Sequence, residues 1–127
     1  MCLIFLVFKK YILHACSIGD VRYIEYLLKE YPTLDVSYNN DEAFRIACKF
    51  GHLNIVKWLL ELNPTIDISA DNELVFRLAC CNGQLNIVKW LLEIKPTLNI
   101  SVDDDYIFRF ACENFKIELA QWLVSVN

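Results

Sequence analysis

Histidine and glycine are scarce in the sequence, since its 127 residues include only two histidines and three glycines. His14 and His52 fall at different positions of the sequence pattern described below, and Cys80 and Cys81 are adjacent instead of separated as in a C-x-x-C zinc motif. The spacing and the glycine of a calcium-binding loop are also missing. We therefore predict no metal and no cofactor.

Groups suited to catalysis are equally scarce. The nearest approach to a nucleophilic site is Ser17 between His14 and Asp20, but no third group is placed to orient the histidine as a triad requires. Residues of these types are common in turns and at helix caps. We predict that the protein is not an enzyme.

Positive charge is not in excess, because 16 acidic residues outnumber 12 basic ones and the formal charge is −4. A nucleic-acid-binding surface needs clustered basic residues, so no nucleic acid partner is expected. Long apolar runs are also missing. The run that begins at Met1 and ends at Phe8 is shorter than the about 20 residues of a membrane span, and Lys9 and Lys10 follow it instead of preceding it as in a signal peptide. We predict no membrane association and an intracellular, cytoplasmic location.

What the sequence does contain is a repeat with a period of 32 residues. Residues 43–61 (AFRIACKFGHLNIVKWLLE) return as residues 75–93 (VFRLACCNGQLNIVKWLLE), and the alignment extends to four repeats at about 1–32, 33–64, 65–96 and 97–127. Such a period is typical of solenoids, in which stacked repeats share a continuous core. With 56% hydrophobic residues, the chain is predicted to form a single domain over residues 1–127.

The pattern within each repeat predicts a helix, a turn and a second helix, so the expected fold class is all-α. In the first three repeats a glycine closes the first helix and a proline follows the second. The linkers, such as residues 32–37, alternate apolar and polar residues and are predicted to be half-buried. Candidate N-caps of the first helices are Asn40, Asn72 and Asp104. One apolar face of the second helix in repeat two is formed by Ile55, Val56, Leu59 and Leu60.

Two kinds of side chain recur once per repeat and are predicted to lie in the core. Stacked helices are about 10 Å apart, beyond the ~7 Å Cα separation that a disulfide allows. The recurring cysteines are therefore predicted to be buried and reduced, namely Cys16, Cys48, Cys80 and Cys112. An aromatic column is predicted to fill the gaps between successive second helices, namely Tyr26, Trp58, Trp90 and Trp122.

The segment GHLNIVKWLL at residues 51–60 resembles the second-helix signature of the ankyrin repeat family. FRIAC at 44–48 and FRLAC at 76–80 fall where that family has leucine, histidine, leucine and two alanines. The resemblance covers residues 11–127 and implies an ankyrin-like helix-turn-helix solenoid of about four repeats. The family's threonine-proline pair and finger-tip glycine are missing, so we expect short, acid-rich fingers. The 32-residue variant with its proline-threonine linkers is similar to ankyrin-like arrays of giant DNA viruses, which would place a viral protein in the host cytoplasm.

The resemblance also implies a surface for a partner protein, because ankyrin repeats usually bind in the concave groove formed by the fingers and the end of the first helix. These positions differ between repeats, as a specific surface requires. Phe50 and Tyr106 would be anchors, and the alternative is that they only pack on the next repeat. The candidate protein-binding residues are Arg45, Lys49, Phe50, Asp71, Arg77, Cys81, Asn82, Asp103, Asp104, Tyr106, Arg109 and Glu113.

The charged residues in this set have two interpretations each. Arg45, Arg77 and Arg109 form a ladder with one arginine per repeat, which either tethers finger carbonyls and acids or recognises anions. Asp103 and Asp104 make a finger edge acidic, and they either begin a solvated helix or attract a partner with a basic surface.

Both ends of the chain depart from the repeat. The apolar run from Met1 to Phe8 is either an extension of the first helix that covers the open edge, or a patch through which copies pair as a homodimer or short filament. Phe115 replaces the turn glycine, so we expect a reshaped final turn. The function predicted is non-catalytic protein binding through groove and fingers, with self-association through the N-terminal run as the alternative.

Overall fold

The computed structural model describes residues 2–97, 109, 113 and 116–126, and this part of the chain is helical without strands. Short turns join successive helices, so the predicted all-α helix-turn-helix repeat fold is confirmed. The chain divides into two compact units, Met1–Asp67 and Ile68–Asn127. The helices are α1 Cys2–Ile18, α2 Val21–Glu30, α3 Tyr38–Phe50, α4 Leu53–Leu62, α5 Ala70–Cys81, α6 Leu85–Ile94 and α7 Ile117–Val126.

Small side chains form the contact between α1 and α3 in the first compact unit. Ala15 and Cys16 of α1 and Ala47 and Cys48 of α3 all have 0% of their surface exposed. Small residues allow two helix axes to approach toward the short end of the usual 8–10 Å range. Phe44, with 1% exposed, adds a large ring to this core.

The second helices of the first compact unit each bury one face. The buried residues are Ile24 and Leu27 in α2 and Ile55, Val56 and Leu59 in α4. Both helices stop two residues before a proline, as predicted, because proline lacks the amide hydrogen needed to continue the helix. The predicted turn glycines are also confirmed here, since Gly19 has φ 80° and Gly51 has φ 79°.

The second compact unit repeats this arrangement in α5, α6 and α7. Its core residues have between 0% and 1% of their surface exposed, and they include Phe76, Ala79, Cys80, Ile87, Val88, Leu91, Leu119 and Leu123. Gly83 closes α5 with φ 68°. The Lys89 ammonium lies 5.9 Å from the ring centre of Trp122, which connects α6 with α7.

The linkers have the predicted half-buried alternation. Leu34 and Val36 are half-buried on either side of the exposed Asp35, and Ile66 and Ile68 flank the exposed Asp67 in the same way. The Asp35 carboxylate accepts hydrogen bonds from the amide and the hydroxyl of Ser37, which fixes the turn before α3.

The two predicted sets of core side chains differ in outcome. Cys16, Cys48 and Cys80 are buried free thiols, as predicted, whereas Cys112 lies outside the described residues. In the aromatic column Trp90 has 9% of its surface exposed, but the core prediction is wrong for Tyr26, which has 56% exposed. The physical reason is that Tyr26 stacks on Tyr23 at an exposed face of α2, with ring centres 6.4 Å apart.

The N-cap prediction is wrong for Asn40 and Asn72. Helix α3 begins at Tyr38 and α5 begins at Ala70, so both asparagines lie inside the first turns of these helices. The N-cap positions are occupied by Ser37 and Ser69, whose side chains make no capping hydrogen bond. Asn39 and Asp41 have φ values of 57° and 58°, so asparagine and aspartate here serve a sharp left-handed start instead of a cap. The predicted cap Asp104 and the predicted reshaped turn at Phe115 lie outside the described residues.

Helix α1 is longer than the other first helices because it begins at Cys2 and has 17 residues. The apolar run at the start of the chain is therefore an N-terminal extension of the first helix. Val7 in this extension has 47% of its surface exposed, so this side chain does not cover a neighbouring element.

Candidate functional site

The C-terminal ends of α1 and α3 lie side by side in the first compact unit. His52, in the turn after α3, places Nε2 2.9 Å from the carbonyl oxygen of Ser17 in the last turn of α1. Ile18 and Phe50 end these two helices and have 56% and 46% of their surface exposed. We name Ile18, Lys49 and Phe50 the helix-end patch.

Lys49 adds a cation to the helix-end patch. Its ammonium lies 5.4 Å from the centre of the Phe50 ring, within the range of a cation–π contact. Such a contact at an exposed site contributes about 0.5–1 kcal/mol and favours one orientation of the ring. The patch therefore presents an oriented aromatic ring beside a positive charge.

The first finger consists of the end of the linker and the first turn of α3, residues 35–42. It is held by hydrogen bonds within α3 and by contacts with α1. The Arg45 guanidinium donates from Nη2 to the carbonyl oxygen of Asn39 at 2.7 Å. The Asn39 amide donates to Glu42 Oε2 at 2.9 Å, and Lys9 of α1 lies 3.7 Å from the same oxygen. The Lys9 ammonium also lies 4.0 Å from the ring centre of Tyr38.

Asp41 is a half-buried carboxylate of this finger. Burial raises the pKa of Asp41, and the nearby Asp35 carboxylate raises it further, while Arg45 and a hydrogen bond from Asn63 oppose the shift. Its Oδ1 atom is buried and has no hydrogen-bond partner among the described residues. Two carboxylates close to this finger therefore interact unfavourably, and Arg45 partly compensates that repulsion.

In the second compact unit the predicted site residues lie at the end of α5. Arg77 and Cys81 are one helical turn apart and both are half-buried. Burial raises the pKa of the Cys81 thiol, and the charge of Arg77 opposes that shift. The Asn82 amide donates to the carbonyl oxygen of Leu78 at 2.8 Å, so this side chain closes the end of its own helix.

The remaining predicted site residues are described only in part. Asp71 lies in the first turn of α5, while Arg109 and Glu113 are exposed residues with helical backbone. Asp103, Asp104 and Tyr106 lie outside the described residues. Within the described part of the chain, no three histidine, cysteine or acidic side chains come together in a way that could hold a metal ion. No helix in that part is both long enough and apolar enough to cross a membrane.

Comparison with known families identifies the repeat. A family model described as ankyrin repeats in three copies matches residues 6–72, which is 67 of 127 residues and more than half of the chain. The chain belongs to the ankyrin repeat family. No curated protein and no solved structure matches it. Ankyrin repeats generally act as protein–protein interaction modules and are typically non-catalytic.

The matched range of this ankyrin repeat protein contains the whole helix-end patch and the first finger. Arg45 stands where the family has a histidine that tethers fingers, and its bond to the Asn39 carbonyl performs that tethering. The tether interpretation of the arginine ladder is therefore supported at Arg45. At Arg77 and Arg109 the tether interpretation stays a prediction.

His52 is a residue to which the sequence analysis gave no role. Its bond to Ser17 aligns the ends of α1 and α3 and thereby sets the spacing of Ile18 and Phe50. The signal in the sequence is the glycine-histidine pair that opens the second-helix signature. It could have been interpreted physically, because a side chain directly after a left-handed glycine can reach back to the preceding helix end.

Proposed function

We propose that this ankyrin repeat protein binds another protein through the helix-end patch, the fingers and the equivalent positions of the later repeats. The observation that carries the proposal is the 46% exposure of Phe50 beside core residues of α3 that are fully buried. The residues around it serve the stack and recur in the next repeat, where Phe50 is replaced by Asn82. A large aromatic ring that the fold does not bury is typical of an interface anchor.

The energetics of such an anchor give the size of the expected effect. Truncating a central aromatic anchor costs about 2 kcal/mol or more of binding free energy, which raises the dissociation constant about 30-fold. Ile18 lies on the neighbouring helix end and is 56% exposed, so a partner side chain could contact both residues. The hydrogen bond between His52 and Ser17 supports this geometry, because it limits the relative movement of the two helix ends.

We propose further that the partner has a basic surface opposite the fingers. The support is the acidic composition of the predicted fingers, which include Asp71, Asp103 and Asp104, together with the formal charge of −4. Complementary charge accelerates the encounter of two proteins and loses strength as salt increases. The Asp104→Lys variant should therefore slow association with the partner.

The test is capture of partners by the immobilised full-length protein, followed by mass spectrometry and quantitative binding of the captured protein. Phe50→Ala and Asp104→Lys are expected to reduce binding, the first by about 30-fold. Leu62→Ala is the matched control, because Leu62 is a similarly exposed apolar residue, at 49%, on the end of α4. Binding that is indifferent to both variants would exclude the proposed surface.

A second candidate function is self-association through the N-terminal run from Met1 to Phe8 into a dimer or short filament. The observation that favours it is the exposed Val7 in the helical extension that begins at Cys2. Light scattering over a range of concentrations tests this candidate, and a protein that remains monomeric at about 1 mM would exclude it.

We also propose that the protein works inside the cell, in the cytoplasm, or in the host cytoplasm if the similarity to giant-virus arrays extends to its origin. The free thiols of Cys16, Cys48, Cys80 and Cys81 support a reducing compartment. Cell fractionation of a tagged full-length protein tests the location, and recovery only from the medium would contradict it.

A further inference from the structure

Three tyrosines form an aromatic cluster on α1 and α2. The rings of Tyr11 and Tyr23 meet edge to face with centres 6.4 Å apart, and the rings of Tyr23 and Tyr26 stack at the same distance. Tyr11 and Tyr26 have 47% and 56% of their surface exposed. We name Tyr11, Tyr23 and Tyr26 the tyrosine face.

The later repeats bury the positions that correspond to Tyr11 and Tyr23. The equivalents of Tyr11 have 3% and 6% of their surface exposed, and those of Tyr23 have at most 1%. Ala43, one of them, lines a small depression together with Ile12 and Leu13 of α1, so this position faces the preceding repeat. The tyrosine face thus corresponds to the side of α3 on which the preceding helix α1 packs. The equivalents are Ala43 and Val75 for Tyr11, and Ile55, Ile87 and Leu119 for Tyr23.

Helix α7 presents a second uncovered surface. Ile117 and Val124 are seven residues apart, which places them on one face of the helix, and they have 63% and 58% of their surface exposed. We name these two residues the α7 face. Their equivalents in the three earlier repeats are all half-buried, namely Val21, Leu53 and Leu85 for Ile117, and Leu28, Leu60 and Leu92 for Val124.

We propose that a second copy of this chain docks head to tail, with its α7 face on the tyrosine face of the first copy. Within one copy, α1 packs on α3 and buries Ala43, the equivalent of Tyr11. The proposed contact would repeat this packing between two copies. Tyrosine suits an intermittently covered surface, because its ring packs while its hydroxyl stays hydrated. This contact differs from the second candidate function, because it places self-association in these two faces and not in the N-terminal run from Met1 to Phe8.

Charge complementarity favours this orientation. One exposed position of the second helices is occupied in the four successive repeats by Arg22, Asn54, Asn86 and Glu118. Equivalent positions of successive repeats are neighbours in a stack, so a head-to-tail junction brings Glu118 of one copy beside Arg22 of the next. A two-fold pairing of two tyrosine faces would instead place two copies of Arg22 in the same interface. Like charges in an interface are unfavourable, so the head-to-tail contact is preferred.

A head-to-tail contact leaves one tyrosine face and one α7 face free at the ends of every assembly. Such heterologous contacts form rings when the rotation closes and open chains when it does not. The weight-average mass of the full-length protein should therefore rise with concentration above the monomer mass of 14.9 kDa. Analytical ultracentrifugation up to about 1 mM measures this rise.

Two single variants and their mixture test the orientation. Tyr26→Glu and Val124→Glu are each expected to remain monomeric, because each places a charge in one half of the contact. An equimolar mixture of the two should form only 1:1 dimers, because the one intact tyrosine face meets the one intact α7 face. Leu62→Glu, which changes a residue of neither face, is the control and should associate like the unchanged protein. Circular dichroism establishes that all variants retain their helices.

A charge exchange provides an independent test. Arg22→Glu alone should weaken association, and adding Glu118→Arg in the same chain should restore it. A monomeric unchanged protein overturns both the inference and the self-association candidate. Association that survives Val124→Glu but not Tyr26→Glu overturns only the head-to-tail inference, because it indicates a two-fold contact between tyrosine faces. Association that survives both variants overturns the inference and leaves the N-terminal run as the contact.

Discussion

A cysteine recurs at one buried position of the first helices, and this burial determines how reactive its thiol is. Cys16, Cys48 and Cys80 recur with the repeat and have between 0% and 1% of their surface exposed. Because burial penalises the charged thiolate, it raises the pKa of Cys16 from 9.0 to about 12, and it raises the pKa of Cys48 and Cys80 in the same direction. These thiols are therefore inert packing groups at neutral pH.

The raised thiol pKa values predict a loss of stability in alkaline solution. Above pH 9 the thiols ionise in the unfolded chain but stay protonated in the folded one, so unfolding releases protons and becomes easier as pH rises. For each buried thiol the loss of unfolding free energy should steepen above pH 9 and approach about 1.4 kcal/mol per pH unit at about pH 10 and higher. Urea unfolding at several pH values between about 8 and 10.5 measures the slope.

The control for this prediction is Cys16→Ala, which removes one ionisable group. Tyrosine and lysine side chains also titrate in this pH range, but their contribution is the same in both proteins. At the upper end of this pH range the variant should therefore show a slope that is smaller by about 1.4 kcal/mol per pH unit. Identical slopes would contradict the thiol interpretation.

Single residues also show where sequence reasoning succeeds and where it stops. Residues that recur at one position, such as Ala47 and Cys48, are predicted correctly as core because the stack imposes the same environment on each repeat. Tyr26 recurs in the aromatic column, yet it is 56% exposed. Periodicity gives the position of a side chain within its repeat, but its exposure depends on whether another element covers that position.

At the scale of helices, the ends were more predictable than the beginnings. Glycine after a first helix and proline after a second have unique backbone properties, so Gly19, Gly51 and Pro64 mark the turns correctly. Asparagine and aspartate are ambiguous, because they favour both N-caps and left-handed turns. Asn39 and Asp41 adopt positive φ at the start of α3, and the helix begins before the predicted cap.

In the turn between α1 and α2, the ring of His52 occupies the space that a side chain at position 19 would need. Gly19 has φ 80°, and a Cβ atom there would lie 2.6 Å from Nδ1 of His52. We predict that Gly19→Ala lowers the free energy of unfolding by about 2–3 kcal/mol, of which about 1–2 is backbone strain and the rest is displacement of the ring from Ser17. Chemical denaturation followed by circular dichroism measures the change.

A double-mutant cycle separates the two causes. In a His52→Ala background the ring is absent, so Gly19→Ala should cost only the backbone strain of about 1–2 kcal/mol. Gly83→Ala is a matched control, because its Cβ would meet Cδ of Lys116 at 2.7 Å, and that flexible chain can move aside. Equal costs of Gly19→Ala in both backgrounds would exclude the proposed contact with His52.

At the scale of the whole molecule, the repeat predicted the fold, while the site follows from departures from the repeat. Phe50 was identified because Cys81 and Asn82 replace Lys49 and Phe50 in an otherwise similar stretch. The tyrosine face was missed because tyrosine at position 23 is a conservative replacement for the isoleucine and leucine of later repeats. The exposed areas in the structure are needed to show that a position that is buried in the later repeats is left uncovered in the first repeat.

Head-to-tail association also predicts how the stability of the molecule depends on its concentration. A second copy that binds only the folded state stabilises it by about 1.4 kcal/mol for each tenfold increase in concentration above the dissociation constant. The urea midpoint should therefore rise with concentration for the unchanged protein and for Leu62→Glu, but not for Tyr26→Glu. Association of unfolded chains would have the opposite sign, because it lowers the midpoint as concentration increases. A midpoint that is independent of concentration in all three proteins would argue against a contact between folded copies.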